Sequence, residues 1–397
     1  MQKEKVLLAF SGGLDTSYCV KYFIHEKDLE VHTAVVNTGG FSKETLDEIA
    51  ERAYSLGSTH HIALEGTQAF YEHIVKYLIF GNVLKNNTYP LSVSAERVYQ
   101  AIALAQYAQS IGAKYIGHGS TGAGNDQIRF DMIFHLVAPE LEILTPVRDQ
   151  ILTRQDEIAY LSEHGVSVEW TQAKYSINKG LWGTSIGGEE TLTSHKPLPE
   201  SAFPSPLKNT NPQTIKIGFE KGEINSLNGK KTAPVEAIQQ IESLASQYAI
   251  GRDMHTGDTI IGIKGRIGFE AAAAVVIIKA HHVLEKHTLT KWQLYWKEQL
   301  ANWYGMFLHE SQYFEPVMRN IETFLQDSQQ NVSGEVTVQL HPYRFEVEGI
   351  SSEHDLMKSD FGEYGEVNKA WTGEDIKGFT KIFSNAMQIY QNVNSSK

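Results

Sequence analysis

The chain has 397 residues, of which 41% are apolar, enough for a sizeable buried core in about two domains of ordinary size. Its net charge of −12 argues against general coating of nucleic acid, and no apolar run is long enough to span a bilayer, so neither nucleic acid nor a membrane is expected as a partner. Cys19 is the single cysteine, which excludes an intramolecular disulfide and a cysteine-based zinc site and is compatible with a reducing cytoplasm.

Residues 1–5 lead straight into a core strand, so no cleaved signal peptide is expected. Residues 6–10 form a continuous apolar run, the pattern of a strand covered on both faces. The turn Ser11-Gly12-Gly13 follows, and then Leu14-Asp15-Thr16-Ser17 opens a helix. Glycines let a ligand come close to the backbone, and the N–H groups of a helix start face an anion. The turn therefore reads either as a phosphate cradle or as an ordinary strand–helix connection.

Alternation continues. Strands are expected at 31–36 and 59–64, and helices at 43–56, 68–79 and 94–111, with Gly57, Gly81 and Gly112 as stops. A strand from Tyr115 ends at Gly117-His118-Gly119, and a helix covers 155–164. The fold class is α/β: a parallel sheet with covering helices, whose ligand crevice lies beyond the carboxyl ends of the strands. Residues 171–212 are rich in Gly, Ser, Thr, Pro and Lys and read as a long ligand-facing loop plus a connection. Paired strands at 214–219 and 223–227, helices at 234–249, 270–286, 290–309 and 314–329, and strands at 335–340 and 343–348 make the second part α+β. A terminal helix over 371–393, with Thr372 as N-cap, presents Ile376, Phe379, Ile382, Phe383, Ala386 and Ile389 on one face. The pairs His60-His61 and His281-His282 are adjacent and so do not share a face; packed or solvated histidines are favoured over a metal site. The divisions expected are a nucleotide-binding domain over 1–170, a substrate domain over 171–365 and a terminal helical segment over 366–397.

A second glycine-rich stretch runs Gly117-His118-Gly119-Ser120-Thr121-Gly122-Ala123-Gly124-Asn125-Asp126-Gln127-Ile128-Arg129-Phe130. It is either a flexible connection or a site. Asn125 and Arg129, four residues apart, share a helix face that could offer a carboxamide and a guanidinium to one ligand, and an Arg fork suits a carboxylate.

The Ser11–Ser17 turn resembles the pyrophosphate loop of ATP pyrophosphatases. Taken with the Gly119–Phe130 stretch, the chain resembles the argininosuccinate synthase family through most of its length. GMP and asparagine synthetases, the rival readings, would bring a glutaminase segment, and thiolating enzymes usually need cysteines. The resemblance implies an adenine nucleotide alpha hydrolase-like domain followed by a synthetase domain. It implies that ATP, with Mg²⁺ on its phosphates, joins citrulline to aspartate, releasing AMP and diphosphate through a citrulline adenylate.

By the same resemblance, Ala9, Phe10, Ser11, Gly12, Gly13, Leu14, Asp15, Thr16, Ser17, Val36 and Gly119 would hold ATP. Tyr89, Ser94, Thr121, Asn125, Asp126, Arg129, Ser176 and Ser185 would hold citrulline and aspartate. Asp126 and Ser11 are the candidate catalytic residues, Asp126 orienting the aspartate amine and Ser11 standing with the departing diphosphate. A cytoplasmic homotetramer is implied, with the segment after about residue 366 reaching a neighbour. Three positions depart from the family: Ala123 stands for a usual Lys, Gly257 for a Glu and Phe269 for a Tyr. The loss of a carboxylate at Gly257, and the space that glycine leaves, admit an N-acylated citrulline as an alternative substrate. Asp258, the neighbour, could instead replace the carboxylate. A non-catalytic nucleotide-binding paralogue is the other alternative.

Overall fold

The computed structural model describes residues 3–168, 170, 174–358, 364 and 370–395. Contacts divide the chain into two units, Met1–Glu353 and His354–Lys397. The first unit begins with a parallel sheet of β1 (Lys5–Ala9), β2 (Glu30–Asn37), β3 (His60–Glu65), β4 (Tyr115–His118) and β5 (Glu142–Leu144), in the order β3-β2-β1-β4-β5. Val6, Leu7 and Leu8 are fully buried, because helices cover both faces of the central strand. Burial of one such side chain is worth about 1.5–3 kcal/mol. β1 lies between β2 and β4, so the strand order reverses there. The loops that follow β1, β2 and β4 open on one edge, as open α/β sheets dictate.

The expected helices form at Leu14–His25, Lys43–Ser55, Ser92–Ser110 and Arg154–Glu163. The one expected at 68–79 is continuous from Thr67 to Phe80 but contains a π turn, Tyr71–Val75. Residues 166–168 carry no strand pairing.

The segment read as a long loop contains a hairpin, β6 (Ser176–Gly180) and β7 (Gly183–Gly187), which is a correction. Two strands absent from the sequence reading, β11 (Arg252–Asp258) and β12 (Lys264–Glu270), extend it into the sheet β11-β12-β7-β6. The hairpin is made of small and polar residues, so no apolar alternation announces it. Its register comes from backbone pairing, with Ser185 opposite Phe269 on one side and Asn178 on the other. A further antiparallel sheet, in the order β10-β9-β8-β13-β14, joins β8 (Gln213–Glu220), β9 (Glu223–Leu227), β10 (Lys230–Lys231), β13 (Gly334–His341) and β14 (Arg344–Ser351). Helices Pro234–Ala245 and Ala272–Thr288 pack on it.

A charged network lies in this core. Lys297 and Glu285 are both fully buried and pair at 2.8 Å. Lys297 also donates to the Phe80 carbonyl at 2.8 Å, while Asn82 and Gln329 donate to Glu285 at 2.5 and 2.9 Å. His281 lies between the Asn82 and Gln329 amide oxygens, and burial pushes its imidazole down to about 4, against Glu285, which raises it. The network pins the residue 82 corner to three helices. In the second unit the expected terminal helix is two helices, Gly373–Phe383 and Asn385–Asn394, which meet at Ser384. Thr372 caps the first in a capping box with Asp375.

Replacing Lys297 with Met strands the Glu285 carboxylate. The expected outcome is a loss of about 3–5 kcal/mol in unfolding free energy by denaturant titration, with most of it recovered when Glu285 is also made Gln.

Candidate functional site

The helix Leu14–His25 begins where Gly12, at φ +77°, turns the chain out of β1. Arg52 holds the turn by donating to the Gly12 carbonyl at 2.8 Å. Thr16 and Ser17 donate to the Gly13 carbonyl at 3.2 and 2.8 Å. The first N–H groups of the helix then face the crevice with its partial positive charge. Gly119 presses on them from β4: a Cβ there would lie 3.1 Å from the Thr16 nitrogen. The two glycine-rich stretches thus touch at the end of the sheet.

The second stretch is braced by Gln127, which donates to the Gly122 and Gly124 carbonyls at 2.7 and 3.1 Å. Helix Asp126–Val137 starts there. Asn125 accepts from the Ile260 N–H at 3.0 Å and so ties the helix start to the β11–β12 turn. Arg129 is buried, and its guanidinium donates to Asp126 at 2.9 Å and to the His309 carbonyl at 3.2 Å. On the other side Arg97 donates to Asp126 at 3.0 Å, to Gln100 at 2.7 Å and to Asn178 at 3.0 Å. Burial would raise the Asp126 carboxyl, but Arg97 and Arg129 outweigh it and hold the group below the usual carboxylate range.

Glu96 sits next to this clamp, 2% exposed, with the Thr38 hydroxyl donating to Oε1. Burial pushes its carboxyl up to about 7, against Arg97 and Thr38, which lower it.

The helix Ser92–Ser110 starts from Leu91 in the left-handed region and has no side-chain cap of its own. Tyr89 supplies one: its hydroxyl accepts from the Val93 N–H at 3.3 Å and the Ser92 hydroxyl at 3.2 Å, which leaves the phenol proton free to donate. The ring stacks on His255 at 5.2 Å and meets Phe269 at 5.4 Å.

These parts enclose one cavity of about 1070 Å³, roomy beside the ~300–1,000 Å³ of ordinary ligand pockets. Its walls include Ala9, Phe10, Ser11, Gly13, Leu14, Asp15, Thr16, Val36 and Gly119, and also Tyr89, Ser94, Thr121, Asn125, Asp126, Arg129, Ser176 and Ser185. Among the residues nominated from sequence, Gly12 and Ser17 stand behind the wall, where they form and lock the turn. The wall also holds residues the sequence reading missed: Glu96, Arg97, Gln100, Lys179, His255 and His309 among them. Arg97 carried a signal, because it follows Ser94 by one helical turn. His255 and His309 carried none.

Of the departing positions, Ala123 is exposed on the glycine loop, and Phe269 is buried behind Tyr89. Gly257 lines the cavity, but a Cβ there would lie 2.6 Å from the His255 Nε2. The imidazole therefore fills the room that the glycine was expected to leave, which corrects that expectation. Burial and then Lys85 push the His255 imidazole down, against Asp253, which raises it. Asp258 also lines the cavity, and its carboxylate is paired with Lys264 at 2.6 Å.

Residues 5–167 match the family model of the arginosuccinate synthase N-terminal HUP domain, and residues 175–390 match that of the C-terminal domain. The chain is similar to the argininosuccinate synthase of Xanthomonas campestris, 35% identical, covering 99% of this chain and all of the relative. It is similar to that of Dictyoglomus thermophilum at 34% (98% of each chain) and that of Pyrococcus furiosus at 36% (96% of this chain, 92% of the relative).

A folded-state value of about 7 for Glu96, against 4.5 for a free glutamate, means the folded chain keeps a proton that the unfolded chain has lost. The stability this linkage gives is full below pH 4.5 and falls away by ~3 kcal/mol as pH rises to about 7. Glu96→Gln is expected to flatten that slope, read by denaturant unfolding at a series of pH values.

Proposed function

The chain belongs to the argininosuccinate synthase family, ligases that join citrulline to aspartate with ATP in arginine biosynthesis, and we propose that it runs this reaction through an adenylated citrulline, with AMP and diphosphate as products. The observation that carries the reading is the meeting of the two glycine-rich stretches in one cavity with the Arg97–Asp126–Arg129 clamp. An anion cradle and a charged acceptor site side by side suit a displacement at phosphorus.

In the first step the ureido oxygen of citrulline attacks the α-phosphorus and diphosphate leaves. The N–H groups from Gly13 onward, with the Ser11 and Thr16 hydroxyls, hold the departing charge. The apolar strand end at Ala34–Val36 would receive the adenine. Mg²⁺ would travel with ATP and neutralise phosphate charge, held chiefly by the phosphate oxygens.

In the second step the aspartate amine attacks the ureido carbon and AMP leaves. Asp126 orients the amine. Its carboxylate is a weak base, because two arginines stabilise its charged form; the proposed role is therefore positioning, with Thr121 and Asn125 beside it. Arg129, Tyr89, Ser94, Ser176 and Ser185 would grip citrulline. In this scheme residues 1–170 handle the nucleotide, 171–365 close over the acceptor, and 366–397 assemble a homotetramer. Exposure of Phe379, Ile382 and Phe383 supports the last point. Removing 366–397 should then lower the mass in solution from that of a tetramer; an unchanged mass counts against it.

The Gly257 corner favours a second reading of the acceptor. The Asp258 carboxylate that lines it is paired with Lys264, and Lys85 acts on His255. A free α-ammonium is poorly served there, whereas an N-acyl group carries no such charge. One assay tests both readings. The protein is given ATP, Mg²⁺ and aspartate with either citrulline or N-acetylcitrulline, and AMP and diphosphate are both measured. Equal release of the two products with free citrulline is expected. Faster turnover of the acylated substrate would establish the second reading, and ATP binding without product from either would mark a non-catalytic paralogue.

A further inference from the structure

Among the described residues, four cationic residues other than histidine line the cavity: Arg97, Arg129, Lys179 and Arg266. Three are held in place by the protein. Arg97 donates to Asp126, Gln100 and Asn178. Arg129 donates to Asp126 and the His309 carbonyl. Arg266 donates to the carbonyls of Thr193 and Lys196. Lys179 differs: it is exposed within β6, and among the described residues its Nζ has no hydrogen bond and no ion pair. Its field reaches the buried Glu242, but burial pushes that carboxyl up to about 7 and the Ala273 N–H already donates to it at 2.7 Å.

The position of Lys179 in the fold indicates which reactant it meets. Its carbonyl abuts the loop after β2: a Cβ on Gly40 would lie 1.8 Å from that oxygen. The next-but-one pairing in this segment joins the Leu181 N–H to the Thr38 carbonyl at 3.0 Å. β2 is the direct neighbour of β1, whose end carries the Ser11–Gly13 turn. The hairpin that carries this lysine therefore lies beside the nucleotide end of the crevice, whose wall Lys179 shares. The glycine loop, which lines the same cavity through Thr121 and Gly124, carries Ala123, which brings no charge.

We propose that Lys179 is a nucleotide-binding residue of this enzyme, its ammonium supplying to the ATP polyphosphate the positive charge that the glycine loop lacks at Ala123. The proposal rests on the ATP-dependent reading of the cavity given above. A flexible lysine suits the task, since it acts as a mobile point charge that can follow the phosphates between the bound and departing states. Arginines locked in the clamp cannot do so.

The test uses the full-length protein and four forms: wild type, Lys179→Met, Lys179→Arg and Lys179→Met with Ala123→Lys. Lys179 is exposed, so its replacement leaves the packing intact. The KM values for ATP, aspartate and citrulline are measured for each, and the affinity for a non-hydrolysable α,β-methylene ATP is measured by calorimetry. Lys179→Met is expected to raise the KM for ATP and weaken the analogue by about 10- to 100-fold, with citrulline changed less than about twofold. Lys179→Arg should keep most of the affinity, and Ala123→Lys should restore part of it from the glycine loop. An unchanged ATP KM and analogue affinity in Lys179→Met would overturn the proposal, as would a loss confined to aspartate. Calorimetry separates this proposal from the reading it rests on. A wild type that binds the analogue without turnover, and loses it in Lys179→Met, upholds the lysine and sinks the ligase reading. A wild type that binds no nucleotide sinks both.

Discussion

The site depends on one carboxylate shared by two guanidinium groups. Asp126 sits between Arg97 and Arg129, and each arginine carries the contact onward to another element. Arg97 belongs to helix Ser92–Ser110 and reaches Asn178 on β6. Arg129 reaches the carbonyl at the end of helix Lys291–His309. Four pieces of chain far apart in sequence are thus registered on a single side chain. Two cations and one anion leave a local excess of positive charge. An arriving carboxylate or phosphate finds that charge already oriented, and little reorganisation is needed when reaction begins.

The turn after β1 and the cap of helix Ser92–Ser110 follow the same principle: backbone ends are satisfied by side chains that also serve the cavity. Thr16 lines the cavity and bonds back to the Gly13 carbonyl. Tyr89 lines it and closes the start of a helix that has no cap of its own. Fixing the backbone and forming the site are one operation at these points. The buried pair Lys297–Glu285 supports the arrangement at a distance, by pinning the corner from which residues 83–91 run to the cavity.

The parallel sheet was legible because β1 is buried on both faces and reads as an unbroken apolar run, and β2 ends in a shorter one at Ala34–Val36. The amphipathic helices were legible for the equivalent reason. β5 was lost because three residues make no pattern. β11 and β12 were lost because their sequences mix glycine with charges and pack through backbone pairing. The anion-facing turn could be read from Ser11, Gly12 and Gly13 alone as one of two possibilities. Tyr89, Ser94, Ser176 and Ser185 could be nominated only through resemblance, since nothing in their spacing marks them. His255 shows the limit in the other direction. A glycine two residues away suggested a vacancy, and only the structure shows the imidazole already filling it.

The hairpin β6–β7 is the part of the molecule whose sequence looks least constrained. Yet Gly40 lies against the Lys179 carbonyl, and a methyl group on Gly180 would run into the Glu96 carboxyl at 2.1 Å. The first contact seats the hairpin against the loop after β2 and the second against the carboxyl beside the clamp, in each case where a side chain would have no room. A saturation-mutagenesis map of stability would therefore score Gly40 and Gly180 as intolerant as a hydrophobic core, while exposed Lys179 between them tolerates change. The constraint here acts through the absence of atoms: the charge offered at position 179 can change without a clash, but there is no room to enlarge the glycine next to it or the one facing it.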